Sequence, residues 1–168
     1  FEDNGIKFFN RDGQKFSSEL EQRIETKLTQ EMIAVESINL GKATRMNDAQ
    51  GRYIEFCKSS FTNLDLRNLS ILLDCANGAT YSVAPKVFSE LGAKVDVIGS
   101  SPDGININQN CGSTSPEFLK EEIMKGSYDL GIAFDGDGDR ILIVTSDGEI
   151  LDGDDILYIL SKNLPNDS

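Results

Sequence analysis

The sequence predicts an α/β domain with a mixed sheet and helices on both faces, and three observations lead there. Residues 70–75 form a short, nearly continuous apolar run, the mark of a strand covered on both sides. Val83, Ala84, Val87, Phe88 and Leu91 then recur at helical spacing, and a second strand at 94–98 closes a strand–helix–strand unit. Such a unit of about thirty residues is a βαβ crossover, right-handed and with parallel strands. Finally, strand-like runs at 130–134 and 141–145 are joined by residues 135–140 alone, as in a hairpin.

The remaining elements follow in order. Residues 1–10 mix aromatics with the turn signal Asp3-Asn4-Gly5, and a second turn follows at Arg11-Asp12-Gly13. Ser18 and Glu21 have capping-box spacing, and Leu20, Ile24, Leu28 and Met32 form one apolar stripe of an amphipathic helix. Residues 41–47 are polar and read as a linker. Asn47 and Gln50 repeat the capping pattern ahead of a stripe of Tyr53, Ile54, Cys57 and Phe61. Both stripes are expected to be packing faces. Gly92 stops the helix that contains Val83. Residues 99–114 are rich in Gly, Ser and Asn and long for a loop, a length usually tied to function or flexibility. Ser115 caps the next helix, Pro116 takes its first position, Phe118, Leu119 and Ile123 face inward, and Gly126 ends it. Asp147-Gly148 makes a turn, and residues 152–155 introduce a last helix through Ile156, Leu160 and Leu164, before Pro165.

Charge and composition narrow the function. The 168 residues include 16 basic and 28 acidic side chains, a net charge of −12. Such a chain repels phosphate backbones and anionic lipid, so neither nucleic acid nor membrane is an expected partner. The sequence contains no histidine, which removes Ser-His-Asp triads, Cys-His pairs and histidine metal ligands. Cys57, Cys75 and Cys111 are an odd number without a CxxC pair, which suits neither a disulfide framework nor a zinc site. They are expected to be reduced, buried small hydrophobes in a cytoplasmic protein. The longest uninterrupted apolar run, residues 156–160, falls far short of the roughly 20 residues of a membrane helix. No signal peptide is visible. The sequence opens on Phe1 and closes within a helical pattern, so an excised piece of a longer chain is expected.

The most informative segment is Asp135-Gly136-Asp137-Gly138-Asp139-Arg140. Three carboxylates at alternate positions of one turn repel one another, and glycines let the backbone curl them toward one point. A hard divalent cation with oxygen ligands relieves that repulsion, and Mg2+ is the usual choice beside phosphate. The loop also follows a strand of an open α/β pattern, where ligands gather. A solvated hairpin tip using Asp and Gly only for turn chemistry is the plain alternative. An EF-hand is excluded, because its sixth and twelfth positions would be Arg140 and Ser146 instead of Gly and Glu. A phosphatase with an aspartate nucleophile fits Asp135 and Asp137 on spacing but leaves Asp139-Arg140 unexplained.

These residues resemble a known family. The acidic loop looks like the metal-binding loop of the α-D-phosphohexomutases, which move a phosphate between C1 and C6 of a sugar. Asp74-Cys75-Ala76-Asn77-Gly78-Ala79, Ile105-Asn106-Ile107-Asn108 and Cys111-Gly112-Ser113-Thr114 resemble domain two of the bacterial phosphoglucosamine mutase branch. Asn4-Gly5-Ile6-Lys7 with Phe8 and Phe9 is similar to the segment directly after that family's phosphoserine motif. The resemblance spans nearly the whole chain with its motifs in order.

The resemblance implies that Asp135, Asp137 and Asp139 hold Mg2+, with a phosphoserine oxygen as a further ligand. It implies that Arg140 helps hold that phosphate and that Lys7 is the general acid/base at the sugar hydroxyl of a phosphorylated hexosamine. In isolation Lys7 reads as a solvated surface lysine, and Arg140 equally as an ion-pair partner of its own aspartates. The implied division is the tail of domain one at 1–40, a complete domain two with the metal loop at 41–149, and the start of domain three at 150–168. The fold class becomes the βαβ core of a phosphohexomutase domain two. The nucleophile would lie outside the chain, which alone should be inactive. The sugar-reading loop would be absent too, so phosphoglucomutase or phosphomannomutase is the alternative within the class. A non-catalytic metal-binding module is the alternative outside it. The sequence assigns no oligomeric state.

Overall fold

A computed structural model describes residues 5, 7–60 and 65–163. The chain divides into two units, residues 5–46 and the part from Asn47 onward. In the first, an antiparallel bridge pairs Phe9 with Lys15 across the turn at Gly13, whose φ is +74°. Asn10 Oδ1 fixes that turn by accepting the amides of Asp12 and Gln14. Helix α1 spans Ser18–Leu28, and its N-cap is Ser17, whose hydroxyl accepts the Leu20 amide at 3.3 Å. The cap expected at Ser18 is thus shifted by one serine. The stripe also ends early: Met32 lies beyond the helix and is 91% exposed.

The second unit carries the sheet. Helix α2 spans Ala49–Ser59 and buries Ile54, while Tyr53 stays exposed. Its N-cap is Asp48, not Asn47, and it makes no side-chain capping bond. Phe61, expected on this stripe, lies outside the described residues, as do Leu164 and Pro165. Strands β1 (Ser70–Asp74), β2 (Lys94–Ile98), β3 (Leu130–Phe134), β4 (Ile141–Thr145) and β5 (Ile150–Leu151) form one sheet in the order β2-β1-β3-β4-β5. β1 pairs parallel with β2 and β3, and the β3–β4 and β4–β5 pairs are antiparallel, so the sheet is mixed. β5, only two residues long, is an addition to the expected strands.

Helix α3 (Ala84–Glu90) and helix α4 (Pro116–Lys125) cover opposite faces. Ile71, Leu73 and Cys75 point to the α3 side with Ala84, Phe88 and Ile132. Leu72 points the other way, packing with Leu119 and Ile123 of α4 and with Ala133 and Val144. This alternation is the two-residue period of a strand buried on both faces. Truncating fully buried Leu73 or Leu119 to alanine would cost about 2–5 kcal/mol. Phe118, expected inward, is on the open side of α4. Ser115 is the N-cap of α4 but makes no side-chain bond there. Helix α5 spans Gly153–Asn163. Among the described residues no helix is long and apolar enough to cross a membrane.

The connections place β1 at the reversal point of the winding. From β1 the chain moves to β2 on one side, then crosses back to β3 on the other. The loops after β1 and β3 therefore leave side by side, the crevice where open α/β sheets collect ligands.

Candidate metal centre

The hairpin between β3 and β4 closes in tight register, with Phe134 opposite Ile141. Residues 135–140 are thereby held at both ends. Gly138 takes a φ of +75°, in the left-handed region that favours glycine. The curl this permits brings one carboxylate oxygen each from Asp135, Asp137 and Asp139 within 4.8 Å of one another. Asp135 is buried and the other two are exposed, so the cluster opens to solvent on one side.

Asp135 also organises the turn. Its Oδ1 accepts the amides of Gly138, Asp139 and Arg140 at 3.0, 3.1 and 3.1 Å. Its Oδ2 accepts Arg140 Nε at 2.9 Å. Burial works to raise the Asp135 carboxyl. The Arg140 amide and guanidinium and the bond with Asp139 outweigh it and hold the carboxyl below its ordinary value. Asp139 moves the other way, raised first by its hydrogen bond with Asp135 and then by the charges of Asp137 and Asp135. That opposition is what crowded carboxylates do when positive charge reaches one of them first. Hard oxygen donors alone line the cluster, a set that fits a small divalent cation such as Mg2+ and offers nothing to a soft metal.

The floor of the loop is the turn after β1. Ala79 N donates to Gly136 O at 2.8 Å, and Ser113 N donates to Phe134 O at 2.8 Å. Segment 99–114, although free of helix and strand, is tied down: Asn77 Oδ1 accepts the Ser101 amide at 3.0 Å, and Asn108 N donates to Ala76 O at 2.8 Å. Beside the loop, Ser113, Asp139, Arg140, Leu142 and Ile156 line an open groove of about 410 Å³.

The structure thus brings Asp135, Asp137, Asp139 and Arg140 together on one turn. Lys7 lies in the other unit, exposed, on a shallow groove shared with Lys15, Glu21 and Glu25. Arg140 engages Asp135, the ion-pair partner that its sequence position allowed. Sequence reasoning named Asp74 only within a motif and gave no role to it, a fully buried carboxylate closing β1. The available signal was a charged residue ending an otherwise apolar run.

Comparison with known proteins gives a consistent picture. The family model described as phosphoglucomutase/phosphomannomutase, alpha/beta/alpha domain II, matches residues 51–148. Phosphoglucosamine mutase of Legionella pneumophila (strain Corby) is 58% identical over 164 residues, covering 97% of this chain and 36% of that protein. Phosphoglucosamine mutase of Aeromonas hydrophila is 56% identical over 162 residues, covering 96% of this chain and 36% of that protein. The chain therefore spans little more than a third of the length of these curated relatives. A crystal structure titled putative phosphomannomutase from Thermus thermophilus superposes with a TM-score of 0.66 at 19% identity, over 90% of this chain and 36% of that one. That likeness concerns the fold alone. With the mixed sheet, the matched domain and the relatives' identity taken together, the chain belongs to the α-D-phosphohexomutases, the phosphoglucomutase/phosphomannomutase family, on its phosphoglucosamine mutase branch.

Proposed function

We propose that the chain supplies the metal centre of a phosphosugar mutase that interconverts glucosamine 6-phosphate and glucosamine 1-phosphate. The observation that supports this best is the convergence of three carboxylates on a loop at the strand-order reversal. Asp135, Asp137 and Asp139 would hold Mg2+. When bound, that ion neutralises charge on the phosphoryl group in transit. Asp135 keeps the loop curled through the three amides that donate to its Oδ1, while its Oδ2 accepts Arg140 Nε. Arg140, whose guanidinium borders the groove beside Asp139, would bind phosphate oxygens. Lys7 would exchange a proton with the sugar hydroxyl. The serine that passes the phosphoryl group to the sugar, through a bisphosphate, is assigned to a segment outside these residues. On this reading the chain by itself turns over no substrate. A cytoplasmic setting suits its three free cysteines.

A second reading has one observation in its favour. Asp135 already spends one oxygen on the turn's own amides and shares the other with Arg140, so the aspartates could be turn residues first. Assaying the full-length parent with glucosamine, glucose and mannose 6-phosphates tests the proposal. Preferential, Mg2+-dependent turnover of the glucosamine compound is expected. Preference for glucose or mannose would sink the substrate assignment, and turnover indifferent to chelation would sink the metal assignment.

A further inference from the structure

Asp74 is fully buried, and both its oxygens bind backbone amides that lead to the acidic loop. Oδ2 accepts Gly112 N at 2.7 Å, and the next residue, Ser113, donates its amide to Phe134 O. Oδ1 accepts Ala76 N at 3.0 Å. Ala76 and Asn77 have φ of +53° and +49°, two successive non-glycine residues in the left-handed region. Each such residue costs about 1–2 kcal/mol and persists only where surrounding bonds enforce it. Here the enforced turn ends at Ala79, whose amide donates to Gly136 O. One arm from Asp74 therefore reaches the residue before Asp135, and the other the residue after it.

Space around the carboxylate is closed. A Cβ on Gly99 would collide with Asp74 Oδ1, and a Cβ on Gly112 would lie 2.6 Å from Phe134 O. Burial raises this carboxyl, and the two amides only partly offset it. An apolar strand end would avoid that cost. Its bonds instead specify a geometry that apolar packing would leave loose, a role that buried polar groups play in some proteins.

We propose that Asp74 is a positioning residue for the metal loop. Through the Gly112–Ser113 arm and the Ala76–Ala79 arm it sets the carbonyls of Phe134 and Gly136, and so fixes where Asp135 presents its carboxylate. The inference rests on the reading of residues 135–139 as a divalent-cation site. It adds a residue that touches neither cation nor substrate.

Mn2+ binding to the chain, read by electron paramagnetic resonance, tests it. Asp74→Asn keeps one acceptor but turns an amide NH2 toward one of the two N–H groups, that of Gly112 or that of Ala76. It is expected to weaken Mn2+ binding about tenfold, the scale of losing a residue that orients a ligand. Ile71→Val, a trim of the core away from both arms, lowers stability and should leave the affinity unchanged. Equal affinity in wild type and Asp74→Asn would overturn the proposal, as would equal weakening by Ile71→Val. If Asp74→Asn does not fold, wild-type amide exchange decides. By reciprocity, saturating Mg2+ should slow exchange at Ala76, Ala79, Gly112 and Ser113, and unchanged rates there would overturn the proposal. Failure of wild type to bind Mn2+ at all would overturn the cation reading of the loop, and the positioning role with it.

Discussion

Gly78 and Gly136 meet backbone to backbone, so closely that a Cβ on Gly78 would fall 2.6 Å from Gly136 Cα. This contact seats the acidic loop on the turn after β1, beside the bond from Ala79 N to Gly136 O. Gly78 needs no special dihedral, since its φ is −105° and its ψ −162°, an extended conformation open to any residue. Its requirement is space alone.

The two glycines should respond differently to alanine. A methyl on Gly78 meets rigid backbone, whereas one on Gly136 meets chiefly the Ile107 side chain, with Cδ1 at 2.7 Å. Side-chain ends can turn aside and backbone cannot. Gly78→Ala is expected to destabilise the chain by about 1–3 kcal/mol or more, the usual cost of overpacking, and Gly136→Ala by less. Urea denaturation of both variants checks this, and the reverse order would contradict the seating described.

The three aspartates should separate by role. Asp135→Ala leaves three amides without their shared acceptor and is expected to cost about 1–3 kcal/mol. Asp137→Asn removes one exposed charge from a repelling group, so stability should stay within about 0.5 kcal/mol or rise slightly. In the full-length enzyme Asp137→Asn should reduce turnover severely. Thermal melts of the chain and kinetics of the parent read the two effects separately. Strong destabilisation by Asp137→Asn would favour turn residues over metal ligands.

The cysteines should divide by burial. Cys75 and Cys111 are buried, and burial, with the nearby Asp74 charge, pushes each thiol up to about 11. Reaction requires thiolate, so at pH 8 only about one part in a thousand of either is competent, and that fraction grows as pH rises toward 11. Half-buried Cys57 should be the single thiol modified quickly by a disulfide reagent at pH 8, with the other two reacting on unfolding. Fast labelling of all three in the native chain would contradict the packing around β1.

Much of the fold was legible because β1, β3 and β4 are short, mostly apolar runs. The parallel β1–β2 pair and the β3–β4 hairpin appear where run length and spacing predict them. Local choices between equivalent neighbours were less legible. Ser17 and Ser18 offer the same hydroxyl, and only the backbone decides which one caps α1. Met32 continues a four-residue spacing, but α1 ends at Leu28 before reaching it. β5 is two residues long, too short to leave a periodic signal. At the site, alternating Asp and Gly announced the loop. The threefold amide bonding of Asp135 is local to that loop, whereas the link from Asp74 to Gly112, 38 positions away, depends on tertiary approach and has no local signature.

The claim that residues 135–139 form a divalent-cation site is tested most directly by titrating Mg2+ into the 15N-labelled chain and following its amides. The account predicts weak, saturable shifts centred on Gly136, Asp137, Gly138, Asp139 and Arg140, abolished by Asp137→Asn in a chain that remains folded. Shifts spread over the acidic surface, or identical shifts in Asp137→Asn, would contradict it.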